Sequence, residues 1–253
     1  VAGKSVALPW IVVFVSVLWN PFQRTSGDNL VRIAIFGGTF DPIHEGHLRI
    51  ARHITHLFRL DQVLFITAGR PPHKSGAPLT SACDRHAMVA LALRDEKKFI
   101  ASNIELLSAR SKNYSIDTIT KIRRRLQPSD ELFFIMGADQ FAEFRTWRSS
   151  DLLLTSVSLI VISRPGFPLG TLLRQCDDEI RSAIHLLPGR RRGGRKANHQ
   201  VFAEPPAVCL LSGLKIDISS TAIRARIQAG KPVRRWVDAA VLDYIRKSGL
   251  YAS

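Results

Sequence analysis

Hydrophobic and polar positions along this chain repeat with two periods that alternate. Val31, Ile33 and Ile35 are interleaved with Arg32 and Ala34, and Phe36 leads into Gly37-Gly38, the pattern of a short strand ending in a glycine turn. Leu48, Ile50, Ala51, Ile54, Leu57 and Phe58 then recur at helical spacing, with Arg49, Arg52 and Arg59 among them, which predicts a helix over 46–58. A second apolar strand is expected at 63–67. Strand, loop, helix and strand in that order imply parallel pairing through a right-handed crossover. The pattern continues with a helix over 82–93, a strand near 99–101, a helix over 115–126 and a strand over 132–136. After these come a helix near 147–154, a strand over 157–163, strand-like runs at 184–187 and 208–211, and a helix starting near Ser219-Ser220. Such alternation predicts an α/β fold: a Rossmann-like, doubly wound parallel sheet in one domain, with a small helical part at the C-terminal end.

The first 29 residues do not share this pattern. One early Lys4 precedes the apolar run SVALPWIVVFVSVLW, which Pro9 interrupts. The run is shorter than the roughly 20 residues of a membrane span, and no small-x-small cleavage pattern follows it. A secretion or anchor segment, a peripheral apolar helix, and an extension outside the domain all remain open. The expected organisation is an apolar extension over 1–29 and one domain over 30–253. Within that domain the stretch GRRRGGRKANHQVFAEPPA, 189–207, is expected to be a basic loop insertion.

Composition narrows the function classes. The chain has 253 residues, 45% of them hydrophobic, which excludes a wholly disordered or fibrous protein and suffices for a core without staples. Cys83, Cys176 and Cys209 are widely spaced and form neither a metal-ligand cluster nor a disulfide framework, so a reducing compartment is expected. The formal net charge is +15, an excess that attracts polyanions: nucleic acid, acidic membrane or small phosphorylated substrates. Five of those charges, Arg190, Arg191, Arg192, Arg195 and Lys196, crowd into the basic insertion, where only Phe202 supplies an aromatic partner for bases.

The loop between the first strand and first helix carries the candidate chemistry. Gly37-Gly38-Thr39-Phe40-Asp41-Pro42-Ile43-His44-Glu45-Gly46-His47 is neither a Walker loop nor a dinucleotide G-x-G-x-x-G. Two glycines nevertheless let a phosphate approach the backbone, and exposed amides beside a helix N-terminus favour negative charge. His44 and His47 stand three apart at the helix start, so both can face one ligand. An imidazole donor there would stabilise charge developing on a transferring phosphoryl group. A metal pair or a surface coincidence would explain the same spacing.

GGTFDPIHEGHL resembles the first signature of the nucleotidyltransferase superfamily that carries an H-x-G-H motif, and ISSTAIR, 218–224, resembles its second. PPHK at 71–74, NYSIDT at 113–118, GAD at 137–139, TW at 146–147, RPG at 164–166 and the ending YIRKSGLY follow in the order found in bacterial nicotinate-nucleotide adenylyltransferases. The resemblance spans 31–251 apart from the basic insertion. It implies transfer of AMP from ATP to nicotinate mononucleotide, giving deamido-NAD and pyrophosphate by direct in-line attack, with Mg²⁺ carried mainly on the ATP phosphates. No nucleophile motif appears in the chain, which agrees with a direct displacement.

The resemblance also implies roles for residues. His44, His47 and Arg224 would be catalytic. Gly37, Gly38, Thr39, Phe40, Gly46, Gly137, Asp139, Arg164, Ile218, Ser219 and Ser220 would hold ATP. Lys74, Tyr114, Ser115, Thr118 and Trp147 would hold nicotinate mononucleotide, with Trp147 either stacking on the pyridine ring or packing in the core. Ser219 or Ser220 also suits a helix N-cap. Asp139, with Asp41 as a weaker second, is a candidate to help order Mg²⁺, and no protein metal cage is visible. Arg226, two positions past Arg224, is expected on the surface. The implied setting is cytoplasmic, without nucleic-acid or membrane partners, and compatible with a homo-oligomer. Phosphopantetheine adenylyltransferases and cytidylyltransferases share the end motifs and are the rivals within the superfamily. A basic nucleic-acid-binding protein and a membrane-anchored protein are the rivals outside it.

Overall fold

In the computed structural model the described residues are 30–69, 79–106, 113–163, 169–188, 207–214 and 216–252. The 1–29 segment, the 189–206 part of the basic insertion, Lys74 and Arg164 therefore lie outside them.

Seven strands form one sheet: β1 (Arg32–Gly38), β2 (Gln62–Thr67), β3 (Phe99–Ser102), β4 (Glu131–Gly137), β5 (Ser158–Ile162), β6 (Ile184–Pro188) and β7 (Val208–Ser212). Their order is β3-β2-β1-β4-β5-β7-β6, and every pairing is parallel. The helices are α1 (Glu45–Phe58), α2 (Ala82–Leu93), α3 (Ser115–Arg123), α4 (Ala138–Ala142), α5 (Ser150–Ser156), α6 (Leu169–Gln175), α7 (Asp178–Ser182), α8 (Ser220–Gln228) and α9 (Ala239–Lys247). The chain builds outward from β1 through β2 to β3, then returns to place β4 on the other side of β1. That reversal opens a crevice at the carboxyl ends of β1 and β4, where ligands bind in open α/β sheets.

Alternation along the strands supplies two buried faces, as a sheet covered on both sides requires. Ala34 and Phe36 face the layer of α1, α2, α8 and α9, where Ile54, Phe58, Met88, Ile223 and Val241 pack. Ile33 and Ile35 face the opposite layer with Ile119, Leu154 and Leu172. The expected elements appear with small shifts. β1 extends through both glycines, because they still pair with Ile66 and Thr67 of β2. α3 ends at Arg123 instead of running to 126: the Asp130 carboxylate accepts the Gln127 N–H, and the Arg123 guanidinium donates to the Asp130 carbonyl, closing a turn.

The short α4, α6 and α7 had no individual signal in the periodicity, and α9 was expected only as part of the small C-terminal helical region. α9 is anchored by Asp238, which caps it by accepting the Ala240 N–H and pairs with Arg94 at 2.7 Å. Among the described residues no helix is long and apolar enough to cross a membrane.

All three cysteines are free. Cys83 is exposed, whereas Cys209 is fully buried in β7 and burial pushes its thiol up to about 12. Since the thiolate is the reactive form, native protein at pH 8 should label fastest at exposed Cys83 and at Cys209 only after denaturation. Cys176 should label more slowly than Cys83, because it is half-buried, donates to the Leu172 carbonyl and has its thiol raised by burial. Peptide mapping that finds early label on Cys209 would contradict this packing.

Candidate active site

A cleft of about 700 Å³ opens at the carboxyl ends of β1 and β4, within the size range of small-molecule sites. Gly37, Gly38, Thr39, Phe40, His44, Gly46 and His47 line one side. Gly137, Asp139 and Trp147 line another, and Ile218, Ser219 and Ser220 close it from α8. Segments about 180 residues apart in sequence thus meet around one space.

His44 precedes α1 at its N-cap and is 6% exposed. The His44 and His47 rings stack with centroids 3.7 Å apart. The His44 N–H donates to His47 Nδ1 at 3.2 Å. A ring nitrogen that accepts carries no proton, so this bond sets His47 as the tautomer with its proton on Nε2. Phe40 meets the His47 ring edge-on at 5.1 Å and further limits its rotation.

Two of the glycines are required by close approach. A Cβ on Gly38 would lie 2.7 Å from the Phe40 ring, and one on Gly46 would lie 2.8 Å from Ile216 and 2.9 Å from the His44 ring. Gly37 is different: a Cβ there would meet only Phe134, at 3.9 Å, an ordinary contact. Phe40 itself takes a left-handed conformation at φ 50°, a strain of order 1 kcal/mol or more for a bulky residue, which persists only where surroundings impose it.

The second signature reaches the first through backbone contacts. Ser219 is the N-cap of α8, its hydroxyl accepting the Ala222 N–H at 3.1 Å. The Ser220 hydroxyl donates to the Pro42 carbonyl at 2.9 Å. Arg224 departs from its expected place: its guanidinium donates to the Asp41 carbonyl at 2.7 Å, and the residue is absent from the cleft wall. One turn into α8, it grips the back of the glycine loop. Asp41 is likewise unsuited to a metal, because it is 2% exposed and its carboxylate accepts the Tyr251 hydroxyl. Arg226 faces elsewhere, as expected, donating to the Pro232 carbonyl and covering the Trp236 ring at 4.8 Å.

The expected nicotinate residues divide. Trp147 packs edge-on against Phe134 at 6.1 Å, the core role its sequence position left open, and it also lines the cleft. Tyr114 and Ser115 sit at the start of α3, apart from the cleft wall, and the Arg148 guanidinium covers the Tyr114 ring at 4.8 Å. Thr118 is 5% exposed and its hydroxyl donates to Glu105 at 2.8 Å, so it braces the helix start instead of facing a ligand.

Glu105 was not singled out from sequence; it lies after β3 in no recognisable motif. Its carboxylate also accepts the Gly69 N–H, and its carbonyl accepts the Asn113 amide at 3.0 Å. Burial raises the Glu105 carboxyl above the ordinary range, against the opposing pull of Thr118, Gly69 and Lys121. A raised carboxyl binds its proton more tightly folded than unfolded, so the folded state loses stability as pH rises through the folded value. Glu105→Gln keeps an acceptor for Thr118 and removes that loss. Its thermal melting should match or exceed the wild type at pH 8 and vary less with pH above the acid range. A clear destabilisation at pH 8 would mean that the charge itself is needed.

Asp139 and Glu143 from the β4 side, with Asp217 before α8, are the carboxylates on the cleft wall. Among the described residues no three metal-ligating side chains cluster. The oxygens of these carboxylates are of the donor type that Mg²⁺ takes when it keeps waters and comes with substrate phosphates.

Comparison with known proteins agrees with this geometry. Residues 35–226 match the cytidylyltransferase-like family model. A Solibacter usitatus protein named "Probable nicotinate-nucleotide adenylyltransferase" is 41% identical over 87% of this chain and 100% of its own length. A Citrifermentans bemidjiense protein of the same name is 37% identical over 87% of this chain and 98% of its own. Among solved structures, the Plasmodium falciparum nicotinic acid mononucleotide adenylyltransferase complexed with NaAD superposes with a TM-score of 0.64 at 20% identity. That match covers 87% of this chain and 97% of the other, a likeness of fold. A sheet of this order, a cleft at its switch point walled by both signatures, and relatives of this identity over nearly their whole length lead to one assignment: the chain belongs to the cytidylyltransferase-like family and, within it, to the nicotinate-nucleotide adenylyltransferases.

Proposed function

We propose that this protein transfers the AMP part of ATP to nicotinate mononucleotide, giving nicotinate adenine dinucleotide and pyrophosphate in NAD biosynthesis. The observation that carries the proposal is the stacked His44–His47 pair against a glycine loop in a cleft walled also by α8. A phosphate oxygen of the mononucleotide attacks the α-phosphorus; the bond from that phosphorus to the bridging oxygen breaks, and pyrophosphate leaves with the electron pair. The nucleophile is already anionic, so no side chain has to remove a proton, and the protein contributes position and electrostatic stabilisation.

In this reading Gly37, Gly38, Thr39 and Phe40 lie along the phosphates, and His44 and His47 donate to oxygens on which charge grows. Ser219, Ser220 and Ile218 bound the ATP side together with Gly137 and Asp139. Trp147 offers its ring to the pyridine. Arg224 acts through the loop it holds. Lys74 and Arg164 remain assigned to substrate phosphates and the ATP site on the resemblance alone. Mg²⁺, held on the triphosphate near Asp139, would neutralise part of the charge that builds during transfer. A cytoplasmic location and a field of positive charge that draws in two anionic substrates complete the proposal.

Pyrophosphate release with Mg-ATP and, in separate reactions, nicotinate mononucleotide, nicotinamide mononucleotide and phosphopantetheine tests it. Turnover highest with nicotinate mononucleotide is expected. Turnover with phosphopantetheine and neither mononucleotide would overturn it.

A further inference from the structure

The glycine loop is held from behind by groups that never reach the cleft. Arg85, in the first turn of α2, is 1% exposed. Its guanidinium donates to three backbone carbonyls: Thr39 at 2.8 Å, Thr80 at 2.9 Å and Gly69 at 3.3 Å. Tyr251, followed by Ala252 and Ser253 and itself left-handed at φ 61°, donates its hydroxyl to Asp41 Oδ1 at 2.5 Å. The Thr80 hydroxyl bonds to that same phenol, so the two anchors share a neighbour.

The direction of these bonds matters. Three carbonyls of the loop are captured by protein donors: Thr39 by Arg85, Asp41 by Arg224 and Pro42 by Ser220. In a trans peptide the carbonyl and the following N–H point in opposite directions. Turning the Thr39 carbonyl toward Arg85 therefore turns the Phe40 N–H away from it, and Thr39 and Phe40 both line the cleft. Capture of the Thr39 carbonyl thus turns one donor, the Phe40 N–H, the other way and keeps a buried positive charge behind it. The Asp41 carbonyl precedes Pro42, which has no N–H to present, so Arg224 only holds the loop there. Together these bonds also supply the external constraint that the left-handed Phe40 needs.

We propose that Arg85 and Tyr251 are positioning residues for nucleotidyl transfer: Arg85 through the Thr39 carbonyl, and Tyr251 through Asp41, set the loop that carries Phe40 and His44. This rests on the transferase reading above. It makes the C-terminal turn part of the machinery although it lies outside the cleft wall.

Arg85→Lys retains the charge but loses the planar fork that serves three carbonyls. Tyr251→Phe removes one hydroxyl. Both are assayed for pyrophosphate release at 25 °C, alongside melting curves. We expect kcat to fall about 10-fold in Tyr251→Phe and about 10- to 100-fold in Arg85→Lys, the scale of a misplaced reacting group. KM for ATP should change much less, because an interaction realised in the transition state is affected. Because Tyr251 acts through the Asp41 side chain, Asp41→Ala with Tyr251→Phe should be no slower than Asp41→Ala alone. Wild-type kcat within twofold in Tyr251→Phe, or fully additive losses in the double variant, would overturn the proposal. So would a kcat deficit that vanishes well below the variant's melting temperature. If Arg85→Lys does not fold, the Asp41–Tyr251 cycle decides alone. An inactive wild type would instead overturn the transferase reading, and the positioning claim with it.

Discussion

His47→Ala is expected to lower kcat for pyrophosphate release at least about 100-fold, the scale of losing one preorganised transition-state donor. Two things disappear with the ring. One is the donor on Nε2, which the tautomer set by the His44 N–H points to as the proton-bearing nitrogen. The other is the acceptor for that N–H at the start of α1, a cap whose loss costs on the order of 1 kcal/mol of stability. The two effects are separable, since a cap of that size shifts melting by only a few degrees in a domain of this length. A variant that melts a few degrees lower yet turns over 100-fold slower at 25 °C is the expected result. Full activity in His47→Ala would remove the stacked pair from the chemistry altogether.

Gly46→Ala is expected to reduce kcat by about 10- to 100-fold while changing stability little, since a misplacement near 1 Å has that order of cost in rate. Alanine in a helix is favoured over glycine by about 1 kcal/mol, whereas overpacking costs about 1–3 kcal/mol, so the two partly cancel in stability. They do not cancel in position. The added carbon would sit 2.8 Å from Ile216 Cγ2 and 2.9 Å from His44 Nδ1, so either the 216 segment or the His44 ring must move. Both belong to the cleft wall. Gly37→Ala is the control, because its nearest new contact is 3.9 Å and the fold should accept it unchanged. Melting curves and initial rates of the two variants, measured together, check the argument. A Gly46→Ala enzyme with wild-type kcat would show that the 216 segment yields freely.

Much of this architecture is legible in the sequence because burial imposes a period. Each strand of a sheet covered on both faces reads as an apolar run, and the buried residues of α1 and α2 recur at helical spacing. Accordingly α1, β2 and α2 lie within a residue of where the sequence places them, while β1 runs on through the two glycines. The short α4 and α7 span only five residues each, too few for a 3.6-residue period to show. The glycine loop was legible for a different reason: close approach admits no side chain at Gly38 and Gly46, and a local requirement of that kind leaves a local mark.

Arg85 and Glu105 left no such mark, and Tyr251 stood out only within the ending YIRKSGLY, with no role attached to it. An arginine in the first turn of a helix usually meets solvent, and nothing local distinguishes this one, yet it is 1% exposed and bonded to carbonyls 46, 16 and 5 residues away. Arg224 was singled out by its motif, but its target was not, since a guanidinium beside an anion site serves equally well by touching the ligand or by holding the loop that does. The sequence by itself determined the sheet, the loop between β1 and α1 and the family, because periodicity, steric exclusion and motif order are properties of neighbouring residues. Only the tertiary structure decided which polar groups face the cleft and which hold it from behind, because hydrogen-bond direction across 183 or 210 residues exists only once the chain has closed on itself.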